Sequence, residues 1–389
     1  MSHQPMRRPG RRAGRTLLAL AAALAACGGH PPSVTELRGV YHPVRVANSP
    51  SSADLMGVNA LDVDSRGNVY VADRSSQLVV FSPAGAVIRK LGRKGQGPGE
   101  FDWLQSVHVL PGDSVYAFDS GLSRVTVFGP GSDRAAYSVN VGTGAMLFPY
   151  WVHPAGSTRS IFAAYRAAFG EGDGRGPRGH RREVLRILNP DGSVRRDSVL
   201  SFAESEMLFL HGQVEGVTYN PFGRQPVFAA GGGGRVYAAW TGALDVGVYA
   251  ADGRRVATIR PAIAATPRPI TARDRDSVVA ALGRTVPPAE VRRAFAEIGS
   301  ESWPLFREMV VDDAGRVWLG LLGGHGEPVH WTAFDASGAR VASMDLPENV
   351  SLRVLRGSRA YAVELDADDV PRVVIYDLRP AAPRPGRGA

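Results

Sequence analysis

The chain has 389 residues, with 45 Lys and Arg against 37 Asp and Glu and a formal charge of +8. Five arginines lie before residue 27, so the remainder carries about +3, and Arg379, Arg384 and Arg387 near the far end leave the body close to neutral. That balance gives little support for a nucleic-acid partner, which needs a concentrated basic face, and the single cysteine excludes an internal disulfide, a zinc–thiolate site and dithiol redox chemistry.

Residues 1–26 read as an export signal. Arg7, Arg8, Arg11, Arg12 and Arg15 form a basic start, and the apolar run "TLLALAAALAA" follows at 16–26. That run is shorter than the roughly 20 residues a membrane-spanning helix needs. "LAAC", Leu24 to Cys27, resembles the bacterial lipoprotein lipobox. The resemblance implies that Cys27 is lipidated and becomes the mature N-terminus, with residues 27–34 as a linker to the membrane. Gly28 after it makes the outer membrane the default, so the expected location is the cell envelope, periplasmic or outer-membrane side. The alternative is an ordinary secretory signal with a chance cysteine.

Beyond residue 34 a short strand recurs with an aromatic at its second position: "VYVAD" at Val69, "VYAFD" at Val115, "IFAAY" at Ile161, "VYAAW" at Val236, "VWLGL" at Val317 and "AYAVE" at Ala360. The aromatics are 46, 46, 75, 81 and 43 residues apart. Intervals in the forties match a four-stranded propeller blade, and the two long ones contain insertions. Turn glycines follow at Gly85, Gly131, Gly192, Gly253 and Gly338, as hairpins between third and fourth strands require. "ALDVDSRGNVYVAD", "SVHVLPGDSVYAFD" and "EMVVDDAGRVWLGL" align without gaps and place a first strand before each second one.

The stretch "GNVYVAD…LVVFSPAG…LGRKGQGPGEF" resembles NHL-type six-bladed β-propellers, and the whole chain resembles exported six-bladed propeller lipoproteins of bacteria. The resemblance covers about residues 33–378. Its first two units match best, and units three, four and six are degenerate. It implies an all-β fold: a six-bladed β-propeller with four-stranded blades over 35–378. The last unit lacks an outer strand, so residues 35–46 are expected to supply it and close the ring. A tail at 379–389 is expected to be disordered.

"GRKGQGPGEF" is rich in glycine and flanked by basic residues, but its spacing fits neither a Walker loop nor G-x-G-x-x-G. It reads as the crossing from one blade to the next. Residues 166–183 read as a solvated basic loop. Residues 261–304 form a helical insertion between units four and five. Thr271 can cap a helix to about Leu282, and Pro287 and Pro288 open a second through about Ile298.

The chemistry is less legible. "DVDSRGNVYVAD" superficially resembles a calcium loop, but Arg66 stands where an oxygen ligand is required. No histidine pair has local metal-site spacing, so no metal and no cofactor are expected. His108 aligns with Asp62 and Arg353 on first strands, a set that either faces the axis or bonds between blades. The ends of the second strands are the better candidate binding face: Asp73, with Arg74 beside it, Asp119, Tyr165, Trp240 and Glu364. Asp73 and Asp119 can instead bond loop amides of their own blades. The expected function is a monomeric, non-catalytic scaffold for a protein, peptide or glycan. The alternative, implied by similar six-bladed rings, is a metal-dependent lactonase or lyase.

Overall fold

The repeated second strands set the architecture, because they are buried on both faces. "VYVAD" and "VYAFD" are buried at all five positions, and a strand alternates its side chains between two faces. Each must therefore lie between two other sheets. The computed structural model describes residues 37–50, 55–142, 147–155, 160–167, 182–211, 216–264, 266–283, 286–322 and 326–381. The expected export signal, Cys27 and the expected linker lie outside the described residues, as does the tail beyond 381; of the expected loop 166–183, residues 168–181 lie outside them too, while 166–167 end the third blade's second strand and 182–183 begin its third.

The fold is an all-β propeller with four self-contained four-stranded blades. After β1 (Gly39–Asn48), the first blade is β2 (Val58–Val63), β3 (Val69–Asp73), β4 (Gln77–Phe81) and β5 (Val87–Leu91). The second is β6 (Leu104–Val109), β7 (Val115–Asp119), β8 (Arg124–Phe128) and β9 (Ala135–Asn140). The third is β10 (Leu147–Ala155), β11 (Ser160–Ala167), β12 (Arg182–Leu188) and β13 (Val194–Ala203). A ribbon of β14 (Leu208–Leu210) and β15 (Gly216–Thr218) leads to the fourth: β16 (Pro226–Gly231), β17 (Arg235–Trp240), β18 (Val246–Tyr249) and β19 (Arg255–Ile259). The helices α1 (Ala272–Leu282) and α2 (Pro288–Ile298) follow.

The remaining strands are β20 (Glu308–Val311), β21 (Val317–Leu321), β22 (Val329–Phe334), β23 (Arg340–Leu346), β24 (Val350–Arg356), β25 (Arg359–Leu365) and β26 (Pro371–Pro380). Here the hydrogen bonding departs from six separate sheets. These strands and β1 form one eight-stranded sheet, β20-β21-β22-β23-β1-β26-β25-β24. The joint is β1, which pairs antiparallel with β26 over most of its length. Its first residues, Gly39 to Tyr41, also pair parallel with Ala342 to Met344 of β23. The strand runs 39–48 rather than 35–46, and Arg379 and Pro380 stay in β26 because His42 and Tyr41 offer them partners.

The cores lie between neighbouring sheets. Tyr70 and Ala72 pack toward Leu104, Val107 and Ala117 of the second blade, whereas Val69 and Val71 pack toward Tyr361, Val363 and Ile375. Phe118 and Val125 meet Ile161 and Ala163, and Phe162 and Ala164 meet Val236. Tyr237 and Val248 meet Val317 and Leu319, and Trp318 meets Leu352 and Ala362. The hairpin glycines make this stacking possible. Gly85 and Gly338 have φ of 87° and 86°, and a Cβ on them would lie 2.2 and 2.0 Å from the carbonyl oxygens of Asn48 and Arg260.

The glycine-rich crossing is pinned architecture. Glu100 accepts from the Gly97 amide at 2.9 Å and from Arg93 Nε at 2.8 Å, and Arg124 donates to the carbonyls of Gln96, Gly97 and Glu100. Phe101 at its end is fully buried. The helices form where the sequence puts them. Thr271 and Asp274 make a reciprocal capping box on α1, Pro288 opens α2, and both pack with Leu208, Leu210 and Phe222 in a core of their own.

Candidate ligand-binding face

The first strands carry the geometry of the site. β2 pairs Val58 with Asp73 and then Ala60 with Ala72, leaving Asn59 as an extra residue in a bulge. β6 does the same at Gln105, and β10 at Tyr150. β24 has its bulge two steps further along, at Arg353. A bulge turns two consecutive side chains toward the same side and re-aims them. The burial shows it: Leu104 and Val107 face inward while Gln105 and Ser106 between them are half-exposed, and Pro149 and Val152 flank half-exposed Tyr150 and Trp151 likewise. β24, β2, β6 and β10 are consecutive neighbours, so Arg353, Asn59, Gln105 and Tyr150 form an arc. β16 and β20 pair without a shift.

The expected face residues divide into three groups. Asp73 and Asp119 are buried and perform one job twice. Asp73 accepts from the amides of Gly57 and Ser75, and Asp119 from those of Asp102, Trp103 and Leu122. Each fixes the turn beside its first strand. Tyr165 is fully buried and donates to the Val141 carbonyl at 2.7 Å. Glu364 pairs with Arg45 of β1, whose pKa that contact raises. Arg74 is exposed and reaches Asn59 Oδ1 at 3.4 Å. Trp240 is half-buried and stacks on Phe202 at 6.3 Å.

Trp240 ends a row that the sequence reading missed. Phe202 meets Phe228 at 6.0 Å, Phe228 stacks on Trp151 at 5.1 Å, and Trp151 stacks on His153 at 5.9 Å. The row spans the third and fourth blades. Beside it, Arg166 lies 4.1 Å over the Tyr150 ring. Burial raises the Tyr150 pKa well above its ordinary value, the Glu183 charge adds to this, and Arg166 opposes it. The Tyr150 hydroxyl, Arg166 Nε and Glu183 Oε2 are buried and make no hydrogen bond of good geometry among the described residues, although Tyr150 lies within hydrogen-bonding range of both Glu183 and Arg166.

A second set lies deeper on the first strands. Asp62, His108 and His153 pair with Tyr70, Tyr116 and Phe162, the aromatics of three successive second strands. His153 therefore belongs to this row. Arg353 does not, because its bulge puts Val354 opposite Tyr361. The row bonds between blades: His108 Nε2 lies 2.8 Å from the Val152 carbonyl, and Asp62 accepts from the Val109 amide and from Arg356. The His108 and His153 rings meet edge to face at 4.4 Å. Burial lowers both pKa values, His153 further, with His108 adding to its shift; Asp62 opposes the shift at His108. Among the described residues no group of three or more His, Cys, Asp or Glu converges closely enough to hold a metal ion.

No family model matches the chain, and no curated protein matches it in sequence. Solved structures do resemble it. A member of the DUF4221 family from Bacteroides vulgatus is 8% identical with a TM-score of 0.53 over 88% of this chain and 99% of that one. A protein from Bacteroides fragilis taken to be exported is 11% identical, TM-score 0.49, over 88% and 95%. Virginiamycin B lyase from Staphylococcus aureus is 9% identical, TM-score 0.41, over 88% and 90%. The first of these likenesses and the strand topology agree on a β-propeller fold.

Proposed function

We propose that this chain is an exported, lipid-anchored propeller that binds a ligand without transforming it. The observation that carries the reading is the half-buried aromatic row from Trp151 through Phe228 and Phe202 to Trp240, beside the arc of bulged residues. Half-exposed aromatic side chains on a rigid frame supply large contact area at small entropic cost. Six blades are the count that the cores favour. Each second strand packs against the next in a cycle that returns to its start, and the eight-stranded sheet divides at β1 into two units of four. Within the segment expected to close the ring, residues 39–46 lie in β1, at that division. Cys27 would tether the ring to the membrane.

A second reading has one observation in its favour: Asp62, His108 and His153 share a register on successive first strands. A metal-dependent lactonase or lyase would need such a set. Against it, His108 Nε2 and both Asp62 oxygens are already engaged across blades. Metal content and lactone hydrolysis of the purified mature chain, before and after chelation, separate the two readings. Stoichiometric metal with chelator-sensitive turnover would retire the binding scaffold; turnover unaffected by metal or chelator at background rate supports it. For the anchor, Cys27→Ala is expected to release the protein from membranes, and unchanged partitioning would remove the lipoprotein assignment.

A further inference from the structure

We propose that the seam between the third and fourth blades binds a neutral saccharide, an inference that rests on the ligand-binding reading and names its ligand class. Three features of the seam point there. Glu183 is 2% exposed, with Oε1 held by the Ser205 amide and hydroxyl, while Oε2 makes no hydrogen bond of good geometry among the described residues and has only Tyr150 within loose range. The Tyr150 hydroxyl and Arg166 Nε likewise make none of good geometry among the described residues. Phe202 lies opposite Glu183 in the β12–β13 register and carries the aromatic row on toward Trp240.

The charges select against an ion. A carboxylate and a guanidinium flank one phenol, so an anion is repelled by Glu183 and a cation by Arg166. A sugar hydroxyl donates and accepts at once. It can give its proton to Glu183 Oε2 and take hydrogen bonds from Tyr150 and Arg166. The apolar face of a pyranose ring then lies against Phe202 and Trp240. Access requires Arg166 to lift from the Tyr150 ring, a rotation of one half-buried side chain. Tyr150 is placed for this by its bulge, which sequence patterns of straight strands do not supply.

The test is calorimetric titration of the mature chain with maltotetraose, cellotetraose, chitotetraose and, separately, tetraalanine. At least one saccharide is expected to bind. Tyr150→Phe, which removes only the hydroxyl, should weaken that binding about fivefold, and Trp240→Ala at least as much. Ile88→Ala, an exposed position on the outer strand β5 of the first blade, should leave it unchanged. An unchanged melting temperature for Tyr150→Phe separates binding loss from unfolding. Absence of binding by all three sugars up to about 10 mM, where dissociation constants are too weak to matter here, overturns the inference. Tetraalanine binding that depends on Trp240 without sugar binding overturns it too, and leaves the binding scaffold standing. Chelator-sensitive lactone turnover would bring down the scaffold reading itself.

Discussion

The first strands of the molecule fall into two groups. β24, β2, β6 and β10 each carry a bulge, whereas β16 and β20 are straight. The straight pair are the strands the chain reaches from the β14–β15 ribbon and from the helices, which share a core around Phe222, Val291 and Phe295. Bulges leave polar or aromatic residues re-aimed along one contiguous arc. The straight strands present Phe228, Ala229 and Val310 instead. The fold thus places the re-aimed bulge residues on one part of the ring and an insertion on the other, and the aromatic row crosses the boundary between them.

That comparison can be broken most forcefully at the hairpins after the first strands. In the straight group, Asp312 after β20 accepts from Arg316 Nε and Trp318 Nε1, each at 2.8 Å. Arg316 is itself buried, with 7% of its side chain exposed. Asp312→Ala strands a buried charge and is expected to cost about 3–5 kcal/mol in urea unfolding. Among the described residues the carboxylate of Asp64, its counterpart after β2, accepts from Arg66 and Asn68 groups alone, so Asp64→Ala should cost about 1–2 kcal/mol. Equal losses would show that the two hairpins are held alike. Next in size is Asp119→Ala, which removes the acceptor of three amides and is expected to cost about 2–3 kcal/mol.

Acid should act on the bulged group first. Burial depresses the pKa of His108 and His153 in the folded chain, so the unfolded chain binds more protons once pH falls below about 6.5. Stability from this pair is complete above that pH and declines as pH drops toward the folded values. Asp62, held by Arg356, opposes the shift at His108 and limits the decline. Replacing His153 with Phe is expected to flatten the stability–pH curve between about pH 5 and 6.5. A curve of unchanged slope would show that the pair does not carry the acid sensitivity.

The second strands were legible because their period is plain: an aromatic, four flanking residues buried on both faces and a turn glycine recur. The helices were legible from Thr271 and Pro288. The bulges were not read, although their signal is present. Inward apolar residues stand three apart, not two, at Leu104/Val107, Pro149/Val152 and Leu352/Leu355. Ignoring that spacing put Arg353 in the row of His108 and left His153 out. The aromatic row was illegible for another reason. Trp151, Phe202, Phe228 and Trp240 come from four strands of two sheets, and no local spacing joins them. The union of eight strands through β1 likewise depends on an edge contact between distant segments.

The smallest expected effect tests whether the two groups share one device. In the fourth blade the amide before the straight strand, Gln225, donates to Thr241 Oγ1 at 2.9 Å. This is the task Asp119 performs for Trp103 before a bulged strand. Thr241 is 1% exposed, so the bond is shielded from water. It is also neutral, and it serves a single amide. Thr241→Ala should therefore cost about 1 kcal/mol, half the loss for Asp119→Ala or less. Thr241→Ser keeps the hydroxyl and should recover most of that loss, which distinguishes the hydrogen bond from packing of the methyl group. If Thr241→Ala matched Asp119→Ala, the charge on the carboxylate would be irrelevant to holding the turn. The difference between the groups would then lie in the bulges alone.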